Sequence, residues 1–151
     1  MSGCVTSYND IENNRVKHME LIQAVVARLA GNSFLLKGWA LTLTVAIVGF
    51  AVNTDSSGLA LVALLPIIVF WGLDGYYLHT EWLFRELHRQ VRDPESGIKP
   101  FFMGATDEDF IKTLPKGARS QWTTFWRPTL SIFYGALGAA TVAVIVILRW
   151  S

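Results

Sequence analysis

Pro128-Thr-Leu-Ser-Ile-Phe-Tyr-Gly-Ala-Leu-Gly-Ala-Ala-Thr-Val-Ala-Val-Ile-Val-Ile-Leu148 carries no charged side chain. Wound as an α-helix, a run of this length matches the ~20 residues needed to cross ~30 Å of hydrocarbon. Two comparable runs precede it. One is Lys37-Gly-Trp-Ala-Leu-Thr-Leu-Thr-Val-Ala-Ile-Val-Gly-Phe-Ala-Val52, with Phe34, Leu35 and Leu36 leading in; the other extends from Leu59 to about Leu78. Three such runs in 151 residues leave little mass for a soluble domain. The expected fold class is therefore all-α: an integral membrane protein with three transmembrane helices, an amphipathic N-terminal helix and a helical cytoplasmic layer.

The remaining composition narrows the class further. Hydrophobic residues make up 52% of the chain and charged residues 17%, so the polar stretches are short. A net charge of +1 argues against a nucleic-acid binder, in which a basic excess is expected. The single cysteine, Cys4, excludes an intramolecular disulfide. Ser2 stands where N-myristoylation needs glycine. The first apolar run lies behind more than thirty residues that include charges, which is not the layout of a cleaved signal peptide.

Basic residues set the expected orientation. Arg15, Lys17, Arg28 and Lys37 precede or open the first span, and the loop Asn53-Thr-Asp-Ser-Ser-Gly58 has none. Between Glu81 and Arg127 there are eight: Arg85, Arg89, Arg92, Lys99, Lys112, Lys116, Arg119 and Arg127. The positive-inside rule places the N-terminus and the long middle segment in the cytoplasm, and the C-terminus on the opposite side of a bacterial inner membrane.

The polar segments are themselves patterned. Ile11, Met19, Ile22, Val26 and Leu29 recur at helical spacing, which predicts a helix over 8–30 that lies either on neighbouring protein or on the membrane surface. Gly31-Asn-Ser33 suits a C-cap followed by an N-cap, so a break is expected before the first span at 34–52. The second span, 59–79, has no helix breaker between Tyr76 and Arg92 and should continue as a cytoplasmic helix to about residue 92. The cytoplasmic segment 93–127 then opens with the turn Asp93-Pro-Glu-Ser-Gly97. It holds a short helix over 107–114, begun by Thr106 with Asp109 three residues on in capping-box fashion. Trp122, Phe125 and Trp126 form an aromatic interface anchor before the third span at 128–149.

Two sets of residues stand out as candidate sites. Asp74 lies inside the second span, where an ionised group needs a partner or water. Lys37 should lie at similar depth. Tyr77, Glu81 and Arg85 follow Asp74 at helical spacing, and His88 and Arg92 extend the polar stripe. Lys37 and Asp74 form either an interhelical ion pair that fixes packing or part of an acidic ring at a pore entrance or sensor. In the third span Ser131, Gly135, Ala139 and Ala143 are four apart, a spacing of small residues that lets helices approach closely. This stripe is the proposed seam of a homo-oligomer. Val142-Ala-Val-Ile-Val-Ile-Leu148 offers no hydrophilic pore lining, so any channel would be narrow or gated by a hydrophobic constriction. No nucleophile, nucleotide-binding or zinc motif is present; His79-Thr-Glu81 lacks the HExxH pattern. No enzymatic activity, cofactor or metal is expected.

The stretch Arg28-Leu-Ala-Gly-Asn-Ser-Phe-Leu-Leu-Lys-Gly-Trp39, followed by Trp71-Gly-Leu-Asp-Gly-Tyr-Tyr-Leu78 and by Glu81 and Arg85, resembles a group of small bacterial membrane proteins with an NSFxLKGW motif. Residues 15–92 carry the resemblance. In size and plan the chain is also similar to SLATT-type membrane proteins, proposed pore-forming effectors of bacterial conflict systems, and to the octameric RipA-like proteins. Its third span is one more than the SLATT plan has. The resemblance implies a homo-oligomeric antiphage effector, possessing membrane lipid and a cytoplasmic defence-system protein as partners, that disrupts the membrane when triggered. The other expectation is a non-conducting scaffold that anchors a soluble partner complex.

Overall fold

A computed structural model describes residues 2–93, 96–114 and 126–150. All regular elements among them are helical. Helix α1 spans Ser2–Asn53, α2 Ser57–Val62, α3 Leu64–Arg92, α4 Glu108–Thr113 and α5 Pro128–Trp150. Three helical stretches, Asp10–Asn53, Ser57–Arg92 and Pro128–Trp150, are long and apolar enough to cross a membrane. Most of their apolar side chains face outward, including Phe34, Val45, Leu65, Ile68 and Ile147. A helix satisfies its own backbone groups, so such a surface suits a hydrocarbon surround.

Helices α1 and α3 form a long antiparallel hairpin, the most extensive packing in the chain. At 1.5 Å per residue α1 is roughly 78 Å long, far beyond the ~30 Å of a bilayer core. The break expected at Gly31–Ser33 does not occur, since α1 runs through it without interruption. A mid-helix glycine costs only about 1 kcal/mol relative to alanine. Packing against α3 outweighs that cost, and the Ser33 side chain is engaged with α3 instead of capping a helix.

A break absent from the sequence reading falls between α2 and α3. Ser56 caps α2 by accepting the Leu59 N–H at 3.3 Å, and α2 ends at Val62. Pro66 explains the interruption. It has no N–H to donate, and its ring crowds the carbonyl four residues back, that of Val62. Past Ala63, α3 continues unbroken to Arg92, through the stretch expected to leave the membrane.

Two cores sit at different heights on the hairpin. The first joins Ile22 of α1 to Leu83, Leu87 and Val91 of α3, and to Ala105, Phe110 and Leu114 of the following segment. This polar-layer core shows where the amphipathic stripe of α1 goes: Met19, Ile22 and Val26 pack on protein of the same chain, while Ile11 stays exposed. Asp107 caps α4 by accepting the Asp109 N–H at 3.2 Å, so the cap lies one residue beyond the expected Thr106. The His18 ring, buried against this segment, bonds the Phe102 carbonyl at 2.8 Å. Gly104 permits the close turn here, because a Cβ at this position would lie 2.6 Å from the Phe102 ring.

The second core lies within the apolar half. Ala40, Ile67, Leu130 and Tyr134 are buried there, with Phe70, Trp71 and Leu137 packed around them. It joins α1, α3 and α5. Pro128 occupies the first position of α5, where a missing N–H has no intrahelical partner to lose. Of the expected aromatic anchor, Trp126 is 78% exposed, while Trp122 and Phe125 lie outside the described residues.

Candidate functional site: a buried polar tetrad

Asp74 is completely buried in the middle of this bundle. Three side chains from two other helices converge on it. The Ser33 hydroxyl donates to Asp74 Oδ1. Lys37 Nζ lies 2.5 Å from Asp74 Oδ2, and the Tyr134 hydroxyl lies 3.3 Å from the same oxygen. Lys37 Nζ also donates to Ser33 Oγ at 2.9 Å.

The sequence positions these groups simply. Ser33 and Lys37 are four apart and so share one face of α1. Ser33 uses its one proton on Asp74 and a lone pair on Lys37, which suits a hydroxyl placed between an anion and a cation. Tyr134 enters from the second turn of α5 and also lies 3.3 Å from the Phe70 carbonyl. Its single proton is thus aimed at two acceptors on α3. A buried carboxylate is costly unless paired and hydrogen-bonded, and here both oxygens are engaged. Lys37 is 17% exposed at its side chain, so its stem is largely covered while its charge meets Asp74.

The rest of the expected polar stripe is not part of this cluster. Tyr77 is half-buried with its ring edge-on to Tyr76, centroids 6.0 Å apart. Glu81 is buried and pairs within α3 to Arg85, whose guanidinium lies 2.6 Å away and is mostly exposed. His88 instead meets Gln23 of α1 at 3.2 Å. The structure therefore divides the stripe into an interhelical tetrad at Asp74 and an intrahelical pair about two to three turns along.

Ser33 and Tyr134 are the members that sequence reasoning missed. The signal for Ser33 was its four-residue spacing from Lys37. For Tyr134 it was a phenol well inside an apolar span, which requires an acceptor.

The small-residue positions of α5 lie on its outer side. Gly135, Ala139 and Ala143 are exposed and Ser131 is half-buried; the buried face instead carries Leu130, Tyr134 and Thr141. A four-residue step overshoots a 3.6-residue turn by about 40°. The stripe accordingly drifts around α5, with Ser131 and Gly135 beside α3 and Ala139 and Ala143 turned away from the bundle.

No cluster of three or more metal-ligating side chains occurs among the described residues. What the tetrad can do chemically is hold three helices together through one neutralised charge. No family model matches the chain, and neither a curated protein nor a solved structure matches it.

Proposed function

We propose that this chain is an oligomeric inner-membrane effector of a bacterial antiphage or conflict system, triggered at its cytoplasmic face. The supporting observation is the continuity of α1 and α3. Each runs without interruption from the polar-layer core, at Ile22, Leu83 and Leu87, to the tetrad at Ser33, Lys37 and Asp74. A partner or signal that shifts the polar layer would load the tetrad directly, and the tetrad would pass the load to α5 through Tyr134. Of the Ser131, Gly135, Ala139 and Ala143 stripe, the outward Ala139 and Ala143 are the part left for the seam through which copies meet.

One observation favours the second reading, a non-conducting scaffold that anchors a soluble partner. Asp74 is sealed inside its own chain and turns no oxygen toward a shared pore.

Expression in bacteria decides between them. With impermeant-dye uptake and solubilised particle size as readouts, the effector reading expects uptake from the native chain. It expects Ala139→Leu combined with Ala143→Leu to reduce both size and uptake. Uptake retained by a monomeric variant contradicts an oligomeric pore. No uptake from any form, with neighbouring genes and phage present, favours the scaffold.

A further inference from the structure

A groove of about 270 Å³ runs between α3 and α5 on the outer surface of the apolar half. Ile67, Ile68 and Trp71 form one wall; Trp126, Ser131 and Gly135 form the other. Gly135 adds no side chain to this wall, and a Cβ there would project into open space. Apart from Trp126 at its end, the groove belongs to two candidate spans, whose insertion would set it against hydrocarbon. A slot this apolar suits an acyl chain.

Its polar end carries positive charge. Arg127 adjoins the exposed Trp126 and is itself exposed. The positive end of the α5 dipole lies there too. An interfacial tryptophan beside an arginine is the pattern expected at headgroup level. We propose that this groove binds one anionic phospholipid from the leaflet nearer the polar layer, its phosphate at Arg127 and one acyl chain along Trp71 and Gly135.

The site adjoins the tetrad, because Tyr134 lies in the floor of the groove and bonds Asp74. It is separate from the outward Ala139 and Ala143, so lipid and oligomer can be tested apart.

The experiment is native mass spectrometry of the full chain after exchange into equal phosphatidylglycerol and phosphatidylcholine. One phosphatidylglycerol per chain should be retained with a preference of about fivefold, the selectivity that one basic residue supplies at a lipid surface. Arg127→Gln should bring the preference close to one, while Lys99→Gln, a distant basic control, should leave it unchanged. Gly135→Leu should lower occupancy by either lipid, and the smaller filler Gly135→Ala should do so to a lesser degree without disturbing assembly. Equal retention of both lipids by the native chain would overturn the proposal. So would unchanged occupancy in both Gly135 variants. If instead Gly135→Leu reduces particle size and leaves lipid retention intact, a second copy covers the groove and the lipid assignment fails.

Discussion

Lys37 and Asp74 meet at 2.5 Å between α1 and α3, and the carboxylate they share with Ser33 and Tyr134 has no exposure to solvent. Among the described residues the pair is the one salt bridge seen between helices; the others, such as Glu86 with Arg89, lie within one helix. Its energetic meaning is asymmetric. Two buried partners nearly offset their own desolvation, whereas one left alone is strongly unfavourable.

Ser33 and Tyr134 should rank differently. Ser33→Ala removes a donor to Asp74 and an acceptor from Lys37, so it should destabilise the bundle by about 1.5–3 kcal/mol, the range for hydrogen bonds to charged groups. Tyr134→Phe removes one long bond and leaves Asp74 with Ser33 and Lys37. It should cost about 0.6 kcal/mol, typical of interhelical bonds in membranes. Unfolding in mixed micelles measures both, and a larger loss for Tyr134→Phe would reverse the ranking.

The polar-layer core should behave as a packed protein interior. Leu87 is fully buried against Ile22 and Phe110, so Leu87→Ala should cost about 2–5 kcal/mol. Ile11 is 60% exposed, and Ile11→Ala should stay within about 0.5 kcal/mol. Hydrogen exchange across α4 is the sensitive readout, because Phe110 loses its support only in the first variant. Equal protection in both would show that α4 does not depend on this core.

Orientation is checked by labelling. A cysteine at Ser57, the first residue of α2 beside a connection without basic residues, should react with an impermeant thiol reagent added outside intact spheroplasts. One at Ser96 should react only after the membrane is opened. Labelling of Ser96 in intact spheroplasts would reverse the charge-based topology.

The helical architecture was legible because apolar runs of spanning length leave few alternatives, and Lys37 and Asp74 were legible as partners because charges at matching depth seek one another. Local signals failed where packing competed with them. Gly31 and Ser33 read as caps, yet α3 offers Ser33 a buried carboxylate and α1 stays whole. Thr106 completes a capping-box spacing with Asp109, whereas the structure uses Asp107, whose carboxylate reaches the Asp109 N–H. Pro66 sits in an otherwise uniform apolar run, whose hydropathy shows no break there. Tyr134 was out of reach for another reason: its partner is set by how α5 rotates against α3, and no one-dimensional spacing encodes that angle.

A double-mutant cycle on Lys37 and Asp74 tests most directly the claim that one neutralised buried charge ties the helices together. Asp74→Ala alone leaves a lysine facing an apolar interior and should cost about 3–5 kcal/mol. Adding Lys37→Met removes that stranded charge and should restore part of the loss, giving a coupling well above the ~0.5 kcal/mol expected of independent sites. If the two substitutions prove additive within that margin, the pair does not hold the bundle and the account of the tetrad is wrong.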